Sequence, residues 1–300
     1  MSDAAADPRP IALATARAAR DLDEDLAPLA AALTAVGAAV DIVTWDDADV
    51  DWSRYRLVAL RSTWDYSLRL DDFLAWLDRT ARLTRVVNPP AVVRWNLDKH
   101  YLGELRRAGA AIVPTTFVEP GDDAGRSIAQ FLREESAAEV VIKPVVGSGS
   151  RDAQRHARGD VAAMTSHVAR LLAERRSVLV QPYLDRVDEQ GETALVYYNS
   201  VFSHAFRKGP LLRRGTGPSE ALFAQEEISP RTPAADELAL GARVLGVLPF
   251  GPLAYARIDL IRGQDGAPCV LELELAEPSM YFACGEGSAL RFATLLNGLK

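Results

Sequence analysis

The segment from Tyr255 to Glu274 constrains the fold most tightly: two alternating runs, Arg257–Ile261 and Val270–Glu274, flank Gly263-Gln264-Asp265-Gly266-Ala267. Asp-Gly between alternating runs is a strong hairpin signal, so the runs are expected to pair as antiparallel strands. With Asp265 and Gly266 as the two turn residues, Asp259 faces Glu272 and Arg257 faces Glu274. Strand side chains alternate, so these four share one face, and Ile258, Leu260, Leu271 and Leu273 make an apolar face behind them. Directly opposed carboxylates repel. A hard divalent cation removes that conflict, since Mg2+ takes oxygen ligands and bridges carboxylates to phosphates. Arg257 alongside is then placed to hold a phosphate oxygen. A solvated charged face with an Arg257–Glu274 pair is the plainer alternative.

Lysine usage adds a second signal. Of 34 basic residues only Lys99, Lys143, Lys208 and Lys300 are lysines, so arginine is the default cation and a retained lysine marks a place for a compact ammonium. Lys143 lies inside the apolar run Val140-Val141-Ile142-Lys143-Pro144, just before Gly147-Ser148-Gly149-Ser150. An ammonium in such a strand needs an anion, and the N–H groups of the Gly/Ser loop can form an anion-cradling nest. Further on, Val178–Leu184 reads as an apolar strand ending in a bend stiffened by Pro182. Its edge can offer a carbonyl and the Leu184 N–H to an adenine ring, because Pro182 has no N–H to give. Asp188 follows at a distance suited to a ribose.

The element order is that of an α/β chain. Strands at Ile11–Thr15, Val40–Thr44, Leu57–Leu60 and near Val86–Asn88 alternate with helices at about Asp23–Val36 and Leu70–Ala81, and Pro89-Pro90 ends this lobe. No G-x-G-x-x-G follows the first strand, which excludes a dinucleotide-binding reading at its first requirement. A helix is expected from Asn96 to about Ala108, then a strand at Thr115–Phe117, helices at Ala124–Glu134 and Val161–Glu174, and mostly strands from Glu192. Helices at Pro233–Val247 and near Ser288–Leu299 complete the pattern.

Composition excludes several function classes. A net charge of −7 argues against a general nucleic-acid binder. Met1–Pro10 reads as a disordered tail and not a signal peptide, and Leu26–Val40 is too short and too interrupted to span a membrane. Cys269 and Cys284 have no metal-ligand spacing and fit a reducing cytoplasm, and four scattered histidines argue against zinc.

In the order of these parts the chain resembles the ATP-grasp superfamily, from about Asn96 to its C-terminus with an α/β lobe before it. The resemblance implies an N-terminal lobe at 1–90, a central lobe at 91–184 with the Gly-rich loop, and a C-terminal lobe at 185–300 with the metal hairpin, ATP lying between the last two. It implies that Lys99 and Lys143 bind ATP phosphates under the loop Gly147, Ser148, Gly149 and Ser150. Gln181, Tyr183, Leu184 and Asp188 would be the adenine and ribose hinge, and Asp259, Glu272 and Glu274 would hold Mg2+, with Mn2+ able to substitute. Arg257 and Lys143 would be catalytic. Glu274 departs from the pattern, since many relatives carry asparagine there.

Arg61-Ser62-Thr63-Trp64-Asp65-Tyr66, Phe206-Arg207-Lys208 and Glu272–Ser279 are similar to the ring-closing branch that makes D-cycloserine from O-ureido-D-serine. That likeness implies an acyl phosphate attacked by a nitrogen of the same molecule. Arg61, Ser62, Thr63, Asp65, Tyr66, Arg207 and Lys208 are then the expected contacts to an amino-acid-like substrate. His204 is expected to be structural. A homodimer is a family-level expectation. The rival readings are an intermolecular carboxylate–amine ligase and a non-catalytic nucleotide-binding regulator.

Overall fold

The computed structural model describes residues 7–212 and 226–299, so most of the tail expected at Met1–Pro10, and all of Lys300, lie outside it. The first sheet is parallel, in the order β2-β1-β3-β4, from β1 (Ile11–Thr15), β2 (Val40–Thr44), β3 (Leu57–Leu60) and β4 (Arg85–Val87). Helices α1 (Leu26–Ala35) and α2 (Leu70–Leu83) alternate with these strands. Both β1 and β3 are buried along their whole length, as expected of parallel strands covered on both faces. Gly37, at φ +81, ends the turn after α1 in a conformation that other residues seldom adopt.

The single helix expected from Asn96 is two, α3 (Pro90–Leu97) and α4 (Tyr101–Arg107). Pro90 starts α3 at its first turn, where no N–H is missed. The side chain of Asn96 is committed elsewhere: Nδ2 donates to Leu273 O at 2.7 Å and Oδ1 accepts from Leu275 N at 2.6 Å. Asp98 is extended and its carboxylate accepts from His100 N at 2.9 Å, so the chain breaks there and Lys99 leaves the helix axis.

The second sheet is antiparallel, in the order β5-β8-β6-β7, from β5 (Thr116–Val118), β6 (Glu139–Pro144), β7 (Gln154–Ala157) and β8 (Val178–Pro182). Helices α5 (Ala124–Glu134) and α6 (Val161–Ala173) pack on it around Val118, Phe131, Ile142, Met164 and Val180. The Asp123 carboxylate caps α5 by accepting from Arg126 N at 2.7 Å. Strand β7 was not expected from the sequence; its Gln-Arg-His-Ala composition carries no apolar alternation.

After α7 (Arg186–Gln190) comes the third sheet, in the order β11-β10-β9-β12-β13. Its strands are β9 (Glu192–Tyr198), β10 (Val201–Lys208), β11 (Ile228–Pro230), β12 (Tyr255–Arg262) and β13 (Pro268–Glu274), with α8 (Ala235–Val247) and α9 (Ser288–Gly298) completing the chain. One hydrophobic core joins Ile11, Leu13 and Leu57 of the first sheet to Val196, Phe206 and Phe292, so the first and third sheets are packed as one body. Among the described residues no helix is long and apolar enough to cross a membrane.

Candidate active site

The β12–β13 hairpin pairs Arg257 with Glu274, Ile258 with Leu273 and Asp259 with Glu272, the register expected from the sequence. The turn differs. Arg262 pairs with Pro268, leaving a five-residue loop, Gly263–Ala267, closed by Gly263 N donating to Ala267 O at 2.8 Å. The register shifts between Asp259 and Leu260, so that Leu260 pairs with Val270 and Leu271 is the extra residue. This bulge cancels the longer loop and restores the carboxylate pairing. It also re-aims Leu271. Instead of joining Ile258, Leu260 and Leu273 in the core behind the hairpin, Leu271 packs with Ile261, Val141 and Leu184 on the pocket wall.

The charged face closes into a network. Arg257 donates from Nε and Nη2 to the two Asp259 oxygens, both at 2.8 Å, from Nη1 to Ser279 O at 3.0 Å, and from Nη2 to Glu274. Lys208 reaches Asp259 at 3.0 Å, Glu192 at 3.2 Å and Glu226 at 3.3 Å. Burial disfavours the Lys208 ammonium, but these three carboxylates more than offset it and hold its pKa well above the usual lysine value. Asp259 is 1% exposed and turned toward Arg257 and Lys208, not toward the pocket. The expected trio of Asp259, Glu272 and Glu274 is therefore not assembled, and no group of three His, Cys, Asp or Glu among the described residues stands ready to hold a metal. Glu272 and Glu274 do line the pocket. Burial, helped by the Asp259 and Glu272 charges and opposed by Arg257, pushes Glu274 up to about 8.

Lys99, Lys143 and Lys208 all line this pocket. Lys99 Nζ donates to Gly147 O at 2.9 Å and lies 3.1 Å from Glu272, and Lys143 lies 3.8 Å from the same carboxylate. Burial lowers the Lys143 pKa against the pull of Glu272. Gly147, Ser148, Gly149 and Ser150 form the pocket rim, with Gly149 and Ser150 both at φ 58. That rim is tied to the first lobe: Ser148 Oγ donates to Trp64 O at 2.7 Å and Tyr66 Oη to Gly147 O at 3.4 Å.

The hinge is divided. Gln181, Tyr183 and Leu184 line the pocket, with Gln181 held by Nε2 donating to Thr115 Oγ1 at 2.8 Å. Asp188 does not line it. Its carboxylate accepts from Arg155 at 3.1 Å and from the Tyr183 hydroxyl, which is not the pocket-facing position expected of it. Glu192 is the carboxylate that stands on the wall nearby. Arg207 also departs from expectation. Strand alternation turns it away from Lys208, and it donates to Gln190 O at 3.1 Å and Glu227 at 3.3 Å outside the pocket.

Of the loop after β3, Tyr66 reaches the pocket together with Trp64, whereas Arg61, Ser62, Thr63 and Asp65 do not. Arg61 is 1% exposed and pairs with Asp25 at 3.4 Å. Asp25 in turn accepts the backbone N–H groups of Met280, Tyr281 and Phe282 at 2.6, 2.9 and 2.9 Å, which fixes the segment after β13. Ser62 Oγ meets Thr15 Oγ1 at 2.7 Å, Thr63 Oγ1 is buried without a partner, and Asp65 accepts from Trp45 Nε1 at 2.8 Å. These contacts hold the loop after β3 to the rest of the first lobe. His204 is structural as expected, buried against Met280 O at 2.7 Å. Charged pocket residues not singled out from the sequence include Arg151, Glu192 and Glu226, and Glu277 and Ser279 were marked only as part of the Glu272–Ser279 segment. Glu277 lies past the end of β13, where strand alternation no longer says which way a side chain points.

Comparison with known proteins fits this geometry. The first lobe, residues 11–88, matches the family model described as D-cycloserine synthetase DcsG, N-terminal domain. The whole chain is 41% identical over 292 residues to the cycloserine biosynthesis protein DcsG of Streptomyces lavendulae, covering 95% of this chain and 97% of that one. The chain belongs to the DcsG family of ATP-grasp ligases. A crystal structure of D-cycloserine synthetase DcsG superposes with a TM-score of 0.88 at 39% identity, covering 96% of this chain and 98% of that chain. The wider ATP-grasp fold is shared with the ligase PsnB, solved with a minimal precursor, Mg and ADP, at a TM-score of 0.64 and 17% identity over 99% of each chain.

Proposed function

We propose that this protein uses ATP and Mg2+ to phosphorylate the carboxylate of O-ureido-D-serine and closes the ring by attack of a ureido nitrogen of the same molecule. The phosphate leaves as the new C–N bond forms, and water then cleaves the bond from that nitrogen to the carbamoyl carbon, releasing D-cycloserine and carbamic acid, which breaks down to carbon dioxide and ammonia. The observation that carries the reading is the gathering of Lys99, Lys143, Lys208 and Arg257 around Glu272 and Glu274 in one pocket whose rim is bonded to the Trp64–Tyr66 loop. The product is supported by the DcsG relatives, named for cycloserine and matching this chain over nearly its whole length, and O-ureido-D-serine follows from the resemblance of the Arg61–Tyr66 and Glu272–Ser279 segments.

The donor set fits a hard cation in part. Glu272 and Glu274 offer adjacent carboxylates on the pocket wall, leaving phosphate oxygens and water to complete a magnesium shell. Asp259 reaches such a cation only by releasing Arg257 and Lys208. When bound, the cation supplies charge neutralisation to the phosphates; Mn2+ is expected to substitute.

The chain's own residues do the rest. Asp259 holds Arg257 from behind, so the guanidinium is oriented before the substrate arrives and costs little to reorganise. Lys99 and Lys143, both beside Glu272, are placed to meet phosphate oxygens, and the apolar wall of Val141, Leu184, Ile261 and Leu271 suits an adenine ring. Catalysis of this kind is mainly positioning and electrostatics. Holding an acyl phosphate and its nucleophile in one small molecule adds the advantage of proximity.

With ATP, Mg2+ and O-ureido-D-serine, the enzyme should release ADP, phosphate and D-cycloserine. ADP release that requires a separately added amine would instead establish the intermolecular ligase.

A further inference from the structure

The carboxylates around this pocket are paired, with one exception. Asp259 meets Arg257 and Lys208, Glu272 meets Lys99 and Lys143, Glu274 meets Arg257, and Glu192 and Glu226 meet Lys208. Glu277 lines the same pocket and has no ion pair among the described residues. A part-buried carboxylate without a cation is costly to keep.

Its place in the fold is well fixed. Trp64 Nε1 donates to Glu277 O at 3.4 Å, Ser279 O accepts from Arg257 at 3.0 Å, and Asp25 anchors the amides of Met280 to Phe282. The backbone at Glu277 therefore runs between the Trp64–Tyr66 loop and Arg257, the guanidinium that in the function proposed above would stand beside the carboxylate being activated. In an α-amino acid the ammonium is one carbon from that carboxylate.

We infer that Glu277 receives the α-ammonium of the substrate, so that the pocket selects α-amino acids over acids that lack the amine. The assignment rests on the carboxylate-activating function proposed above. Burial, only partly offset by the Lys99 charge, pushes Glu277 up to about 7, the behaviour of a carboxyl group still lacking its cation. A docked ammonium supplies it.

The test compares wild type with Glu277→Gln on matched acids: O-ureido-D-serine and its desamino analogue, then D-serine and 3-hydroxypropanoate. Phosphate release gives kcat/KM for each, and ATP affinity confirms that the variant is folded. The preference for the amine-bearing acid should fall by roughly 30-fold or more in the variant, mostly through KM, as expected when one partner of a buried charge pair is removed. Glu277→Asp should restore part of it. An equal loss for both acids of a pair, or an unchanged preference, overturns the assignment. D-cycloserine formation with an unchanged preference leaves the ring-closing function standing while the ammonium site fails. A Glu277-dependent amine preference without D-cycloserine has the opposite meaning.

Discussion

Asp259 is the residue on which the charged face depends. It was expected at the cation itself, yet it is buried between Arg257 and Lys208. Burial raises its pKa, but these two cations more than reverse that and bring it down to about 2. The sign for stability follows from linkage. A depressed folded-state pKa contributes stability above the unfolded value of about 4, lost as the pH falls toward about 2. Asp259→Asn removes the charge at every pH and leaves Arg257 with Glu274 and Lys208 with Glu192 and Glu226, so at neutral pH it should cost about 1.5–3 kcal/mol in urea unfolding. The gap between wild type and variant should close as the pH is lowered through that window. A gap that stays constant with pH would show that the carboxylate is not held ionised by its neighbours.

At the scale of elements, the junction of α7 and β9 controls where Lys208 stands. Gly191 there has φ 68 and ψ −172, and an added Cβ would run into the Lys208 carbonyl oxygen and the Arg207 side chain. Such backbone is essentially limited to glycine. Gly191→Ala must shift β10, the strand that carries Lys208 into the pocket, and should lower the melting temperature by about 5–10 °C while weakening ATP binding. A melting temperature within about 2 °C of wild type would refute the strain. The same scale explains what the sequence could reveal. The hairpin was legible at its charged end because alternation is local, and Arg257, Glu272 and Glu274 were found that way. Its turn was not, since a loop longer than expected and a bulge at Leu271 cancel in the register and leave no trace in periodicity. The three pocket lysines stood out because arginine is otherwise preferred. Arg61 looked like a substrate contact because it follows β3, but its partner Asp25 is distant in sequence, and only folding brings the two together.

The whole molecule divides by its cores more than by its sheets. The first and third sheets share one core through Ile11, Leu57, Val196 and Phe292, and the α1 side packs on α9. The second sheet has a core of its own around Val118, Ile142, Met164 and Val180. Its ties across the pocket are a small apolar cluster of Val141, Leu184, Ile261, Cys269 and Leu271 and a few polar links, among them Lys99 to Gly147, Ser148 to Trp64 and Val113 N to Val270 O at 3.0 Å. Regions joined by a large continuous core open together, whereas one joined by a small cluster and a handful of polar contacts can open at a lower cost. Native-state hydrogen exchange should therefore report two cooperative blocks. Amides of β1, β3, β9 and β12 should share one opening free energy, and those of β6 and β8 a lower one. A non-hydrolysable ATP analogue with Mg2+ touches both sides of the pocket and should raise the protection of β6 and β8 toward the first block, because a ligand that binds only the closed form stabilises it. Removal of residues 1–88 should leave 89–300 unable to fold, since it strips half of the shared core. A uniform exchange profile that nucleotide leaves unchanged would show that the second sheet is not an independently opening lobe.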